Sequence, residues 1–184
     1  MIRFTQTELR HIFISILVLA FAVSGLNPYR LAAFSLPLAL GFIAHELAHK
    51  FAAARYGYFA VYRMWAMGLL LALLVGLASR GRVLIAAPGA VVILTAYFTR
   101  RESGLIGLVG PLTNLAVAAC FFPLRYFGGF ISDIGNFGIF INLWLAFFNL
   151  LPVPPLDGYR TASWNKKIWL ITFLPIMATI VLFV

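Results

Sequence analysis

Apolar residues run through this chain in long blocks, separated by short segments that hold most of its charges. Five blocks approach the ~20 residues a helix needs to cross a bilayer. They lie at approximately 11–26, 31–54, 104–124, 134–151 and 168–184. The stretch 56–99 is less regular. Its apolar run 69–78 is too short to cross alone, and 83–99 is interrupted by Pro88-Gly89. It reads either as a hairpin of two short spans or as a re-entrant, partly extended element, and both return the chain to the same side. The pattern predicts an all-α polytopic membrane protein of about five to seven transmembrane helices. A small β or re-entrant element is expected between the second span and the 104–124 span.

Charge orients these spans. With the N-terminus inside, the inner segments carry Arg3, Arg10, Lys50, Arg55, Arg63, Arg100, Arg101, Arg160, Lys166 and Lys167. The outer loops carry only Arg30 and Arg125, while Arg80 and Arg82 fall in the ambiguous stretch. This bias predicts a multi-pass protein of the cell membrane with its N-terminus towards the cytoplasm. Arg3, Arg10 and the apolar run from Ile12 to Val23 also resemble a secretory signal, but the run is taken as a first membrane helix.

Composition agrees. The chain is 63% hydrophobic and 10% charged over 184 residues, against roughly a quarter charged in soluble domains. A single domain over 1–184 is expected. The net charge of +9 does not imply nucleic acid, because the basic residues flank apolar runs instead of forming a stripe on a soluble module. The single cysteine, Cys120, excludes an intrachain disulfide or a cysteine metal cluster and is expected to pack as a small hydrophobe.

The candidate chemistry lies inside the second block. His45-Glu46-Leu47-Ala48-His49 is an H-E-x-x-H motif. On a helix, positions i and i+4 share a face, so His45 and His49 can offer two imidazoles to one zinc ion. Glu46 can reach a water held on that metal and act as its general base. Packed histidines in a chance match are the bland alternative. Ionisable residues within a span are costly and point to function. The charge bias places both histidines towards the cytoplasmic end of their span, and Pro37 is expected to bend that helix.

A catalytic zinc usually takes three protein ligands, and few acidic residues remain. Glu8 and Asp133 sit near span ends and read as solvated charges, while Glu102 follows Arg100-Arg101 and is expected to be neutralised by them. Asp157 ends the run Asn149-Leu150-Leu151-Pro152-Val153-Pro154-Pro155-Leu156-Asp157, followed by Gly158. Its prolines forbid a regular helix. Such backbone is tolerated at membrane depth where it lines a cavity; the bland alternative is an ordinary Pro-rich exit turn with Asp-Gly at its tip.

H-E-x-x-H followed by N-x-x-P-x-P-x-x-D-G resembles the site-2 protease family of intramembrane zinc metalloproteases. Gly110-Pro111-Leu112-Thr113-Asn114 also resembles that family's G-P-x-x-N element, and the three motifs occur in the family's order. The resemblance implies one zinc held by His45, His49 and Asp157, with Glu46 as general acid and base. Asn149 would help hold the substrate or stabilise the oxyanion. Asn114 and Pro111 would shape the helix behind the site. The catalytic core would span about 31–160, in a compact form without room for a PDZ or CBS domain. The substrate would be a transmembrane segment of another protein, locally unwound and paired with an edge strand. Ala86-Ala87-Pro88-Gly89-Ala90-Val91 is the loose candidate for that strand. Two other readings stay open. A prenyl-protein-type membrane zinc protease would use Glu102 as third ligand, and a metal-ion transporter would use His45, Glu46, His49 and Asp157 as a transit site.

Overall fold

The computed structural model describes residues 4–85, 88–95 and 97–183. The chain runs through α1 Gln6–Ser24, α2 Pro28–Arg55, β1 Phe59–Met64, α3 Ala66–Ala78, β2 Gly89–Leu94, α4 Arg100–Phe121, α5 Gly129–Asn149, α6 Asp157–Trp164 and α7 Lys166–Phe183. Among the described residues, α1, α2, α4 with the short 3-10 turn that follows it, and α5 are long and apolar enough to cross a membrane. The block expected at 168–184 forms α7, an 18-residue helix containing Pro175; Val184 lies outside the described residues.

Local sequence explains the helix starts. Thr5 and Glu8 form a capping box on α1, and Thr99 and Glu102 form another on α4; each satisfies amide donors that an open helix end leaves unpaired. Asn27 caps α2, with Pro28 at its first position, where a missing N–H costs nothing. Gly25 ends α1 in the left-handed region, at φ +58°, which a residue without Cβ adopts readily.

The ambiguous stretch 56–99 resolves as β1, α3 and β2. Among the described residues of this stretch no pair of short membrane-length helices is formed. At 13 residues, α3 is only about 20 Å long, short of the ~30 Å hydrocarbon core. The two strands pair antiparallel, with Tyr62 opposite Val91 and Arg63 opposite Ala90. Below them α2, α4 and α5 pack together, with α1 against α2 and α3. Leu38, Ile106 and Ile141 are fully enclosed. Cys120, expected to pack as a small hydrophobe, is exposed on α4.

Glu8 departs most from its sequence reading. It is not solvated: it is 1% exposed and Lys50 is 4% exposed. The Lys50 ammonium donates to both Glu8 carboxylate oxygens, at 2.7 and 2.6 Å. The same carboxylate accepts the Tyr62 amide at 3.0 Å. One helical turn later His11 Nδ1 accepts the Met64 amide at 3.5 Å, and Ser15 bonds the Tyr62 hydroxyl at 2.9 Å. A polar stripe on α1 therefore occupies the outer edge of β1, where another strand would otherwise pair. Removing one partner of a buried pair strands the other charge, at a cost of about 3–5 kcal/mol. Glu8→Leu is expected to lose that much stability in detergent unfolding. Glu8→Leu/Lys50→Met should regain much of it, leaving the Tyr62 amide and the Thr5 amide of the capping box without their acceptor. Equal losses in both variants would show that the pair adds no coupling.

Candidate metal centre

The site forms where α2, α4 and the start of α6 meet. His45 and His49 share one face of α2, as the i, i+4 spacing requires. Both are buried, and Asp157 is 9% exposed. Asp157 arrives from the far end of the chain because Pro152, Pro154 and Pro155 break the backbone after α5, and α6 begins at Asp157 itself. His45 Nε2 lies 3.2 Å from Asp157 Oδ2, His49 Nε2 lies 3.0 Å from the same oxygen, and the two Nε2 atoms are 3.0 Å apart.

The protonation of these rings can be read from their other nitrogens. His49 Nδ1 sits 2.7 Å from the Ile106 carbonyl oxygen, which can only accept, so Nδ1 carries the proton. His45 Nδ1 sits 2.6 Å from Asn114 Oδ1. The Asn114 amide nitrogen is turned away, donating to the Gly41 carbonyl at 3.2 Å and to Asn142 Oδ1 at 3.0 Å. Both Nε2 atoms therefore present lone pairs to each other and to a carboxylate oxygen. Three acceptors at this distance repel unless a cation lies between them. On a tetrahedral zinc with bonds of ~2.0–2.1 Å, ligand atoms stand about 3.3 Å apart, close to the observed triangle. Zinc fits this donor set.

The supporting contacts reach further than the sequence indicated. Asn114, expected to shape a helix behind the site, touches a candidate ligand directly and fixes its tautomer, as outer partners of metal-bound histidines commonly do. Asn142 was not singled out in the sequence. It is fully buried on α5 and donates to the Gly138 carbonyl at 2.9 Å and the Pro37 carbonyl at 3.4 Å. An asparagine in the middle of an apolar span was the available signal, since such a residue is costly unless paired. Gly110 permits the close approach of α4: a Cβ there would lie 2.4 Å from His49 Nε2 and 2.7 Å from His45 Cε1.

A cleft of about 170 Å³ opens at the cluster, lined by His45, Glu46, His49 and Asp157, by residues 89–92 of β2, and by Asn149. Glu46 is 7% exposed, and its Oε2 has no hydrogen-bond partner among the described residues. Asn149 spends one amide hydrogen on the Leu145 carbonyl at 2.9 Å; its other amide hydrogen has no partner among the described residues. Of the expected pairing segment, Ala86 and Ala87 lie outside the described residues, while Gly89, Ala90 and Val91 fall in β2. Glu102 is not neutralised by its neighbouring arginines. It caps α4 through Thr99 and accepts the Tyr58 hydroxyl at 3.0 Å. It is not part of the group formed by His45, His49 and Asp157, so the alternative third ligand is committed elsewhere.

Curated relatives carry a consistent description. The chain is 43% identical over 181 residues to "Putative zinc metalloprotease MJ0611" of Methanocaldococcus jannaschii, covering 95% of this chain and 93% of that protein. YwhC of Bacillus subtilis, with the same description, is 31% identical over 67% of this chain and 64% of its own. Rip2 of Mycolicibacterium smegmatis, again so described, is 32% identical over 62% of this chain and 50% of its own. No family model matches the chain, and neither does any solved structure.

Proposed function

The chain belongs to the zinc metalloprotease family of these relatives, and from that premise we propose that it is an intramembrane endopeptidase of the site-2 protease type. It hydrolyses a peptide bond within or near a transmembrane segment of another protein. The observation that carries this reading is the acceptor triangle of His45, His49 and Asp157, with the unpartnered Glu46 oxygen beside it, in a bundle of membrane-length helices. In this reading the three residues hold one zinc, which when bound supplies Lewis acidity and lowers the pKa of a water. Glu46 takes the proton from the attacking water and passes it to the leaving amine. In this reading Asn149, which lines the same cleft, would donate to the developing oxyanion. The cleft wall at Pro155 and Leu156 would be the side from which water enters. The basic residues at 50–63, 100–101 and 160–167 favour a cytoplasmic site in the cell membrane.

A helical substrate hides its carbonyls, so the reacting segment must be extended. β2 can hold it. Tyr62 turns its amide towards Glu8, away from β2, so the Tyr62–Val91 pair is one that exchanges no backbone bonds. Val91 therefore points its N–H and C=O outward, as do Gly89 and Ile93 by alternation. That edge borders the cleft and has no strand partner among the described residues. A substrate strand pairing there would satisfy the groups freed by unwinding.

The direct test is cleavage of a transmembrane peptide by purified, zinc-loaded protein in lipid, read by mass spectrometry. Absence of cleavage across a broad panel of such peptides would sink the reading. The strand is tested by proline. Val91→Pro deletes one outward donor, and kcat/KM should fall roughly two- to tenfold, the worth of one backbone hydrogen bond, with zinc content unchanged. Val92→Pro deletes a bond within the hairpin and should disorder the sheet. If Val91→Pro left turnover intact, pairing through that amide would be ruled out.

A further inference from the structure

Two arginines reach the cleft from different elements, and the chemistry above uses neither. Arg63 extends from β1, opposite Ala90, and Arg160 from α6, one turn beyond Asp157. Both line the same cavity as the metal cluster. Arg160 is half-buried, and its Nε donates to Ser103 Oγ at 3.2 Å. Among the described residues that is its only hydrogen bond, and neither guanidinium forms an ion pair. Asp157 forms no ion pair with Arg160 among the described residues, and its Oδ2 faces the two histidines. The carboxylates lining the cleft are Glu46 and Asp157, and both are taken up by the metal chemistry.

The half-buried Arg160 guanidinium, with its open donors, is costly unless something pairs with it, and its planar fork matches a carboxylate; Arg63 is exposed and adds a second positive charge to the same cavity. We propose that Arg63 and Arg160 form an anionic subsite of the cleft, which takes a substrate carboxylate beside the scissile bond. The inference rests on the protease reading for the nature of the ligand. The carboxylate comes either from an Asp or Glu side chain or from a free chain terminus. Anchored there, it fixes the register of the extended segment along β2 and so selects which bond lies over the metal. Substrates with a basic residue at that place are excluded by the same two charges.

The test uses zinc-loaded Glu46→Gln protein, so that binding is measured without turnover. The probes are fluorescent transmembrane peptides carrying Asp, Asn or Lys at successive flanking positions, each with a free or an amidated C-terminus. At one position Asp should bind about tenfold tighter than Asn, and Lys weaker still, as one charge-assisted pair allows. A preference that follows the side chain identifies an internal acidic residue; one that follows the free C-terminus identifies a terminal carboxylate. Arg63→Gln and Arg160→Gln should each flatten the preference with zinc retained. Arg63→Glu/Arg160→Gln, which leaves one negative charge in the subsite, should transfer it to the Lys peptide, a reversal that loss of structure cannot produce. Equal binding of all three peptides, no measurable binding, or a preference surviving in Arg63→Gln/Arg160→Gln overturns the subsite. Cleavage by the unsubstituted protein is scored separately. Peptides cut without charge preference leave the protease reading standing and the subsite refuted. Peptides bound with the preference but never cut do the opposite.

Discussion

Asp157→Ala protein is expected to purify folded, without its zinc and without activity. The carboxylate supplies one of three acceptors within 3.2 Å of one another, and two imidazoles alone make a weak site. Losing an outer partner of a zinc ligand costs roughly 10–100-fold in affinity, so losing a ligand should cost more. Asp157 begins α6 and is not a core side chain of the bundle, so the helices should remain. Metal analysis after dialysis and circular dichroism on the same sample separate the two effects. Glu102→Ala is the control. It should shorten α4 at its N-terminal turn by losing the cap, with zinc retained. If Glu102→Ala lost zinc and Asp157→Ala kept it, the ligand set would revert to the prenyl-protease arrangement.

Glu46→Gln should have the opposite signature, with full zinc content and turnover reduced by about a hundred- to ten-thousandfold, the usual contribution of a placed acid or base. Glutamine keeps the shape of the side chain but cannot accept the proton. The fall should appear in kcat, with KM for the peptide little changed, since Glu46 takes no part in holding the strand. Turnover near that of the unsubstituted protein would remove Glu46 from the mechanism. The two variants together are decisive, because one separates metal from chemistry and the other joins them.

The grouping of His45, His49 and Asp157 was readable from sequence because it is carried by spacing and by scarcity. H-E-x-x-H fixes two histidines on one face wherever a helix forms, and a chain with few carboxylates leaves few choices for the third ligand. Membrane helices were readable for a similar reason. A run of apolar residues near the bilayer thickness has few other stable fates. The stretch 56–99 resisted, because a 13-residue helix and two six-residue strands each bury too little alone to show a distinct period. Their form depends on neighbours.

Those neighbours also explain what was misjudged. Glu8 looked solvated because it stands near a span end. Only the folded bundle brings it to Lys50, 42 positions away, and to the Tyr62 amide. Asn142 and Asn114 meet across α4 and α5 to orient His45, a link set by how the helices cross. The sequence by itself determined the membrane helices, the H-E-x-x-H face and the candidate ligand at Asp157. Periodicity along one helix and the cost of charge in lipid are local properties. Tertiary structure decided which face of β2 stays open, which amides orient the histidines and which arginines border the cleft. These depend on contacts between residues far apart in the chain, where no local period or composition carries a signal.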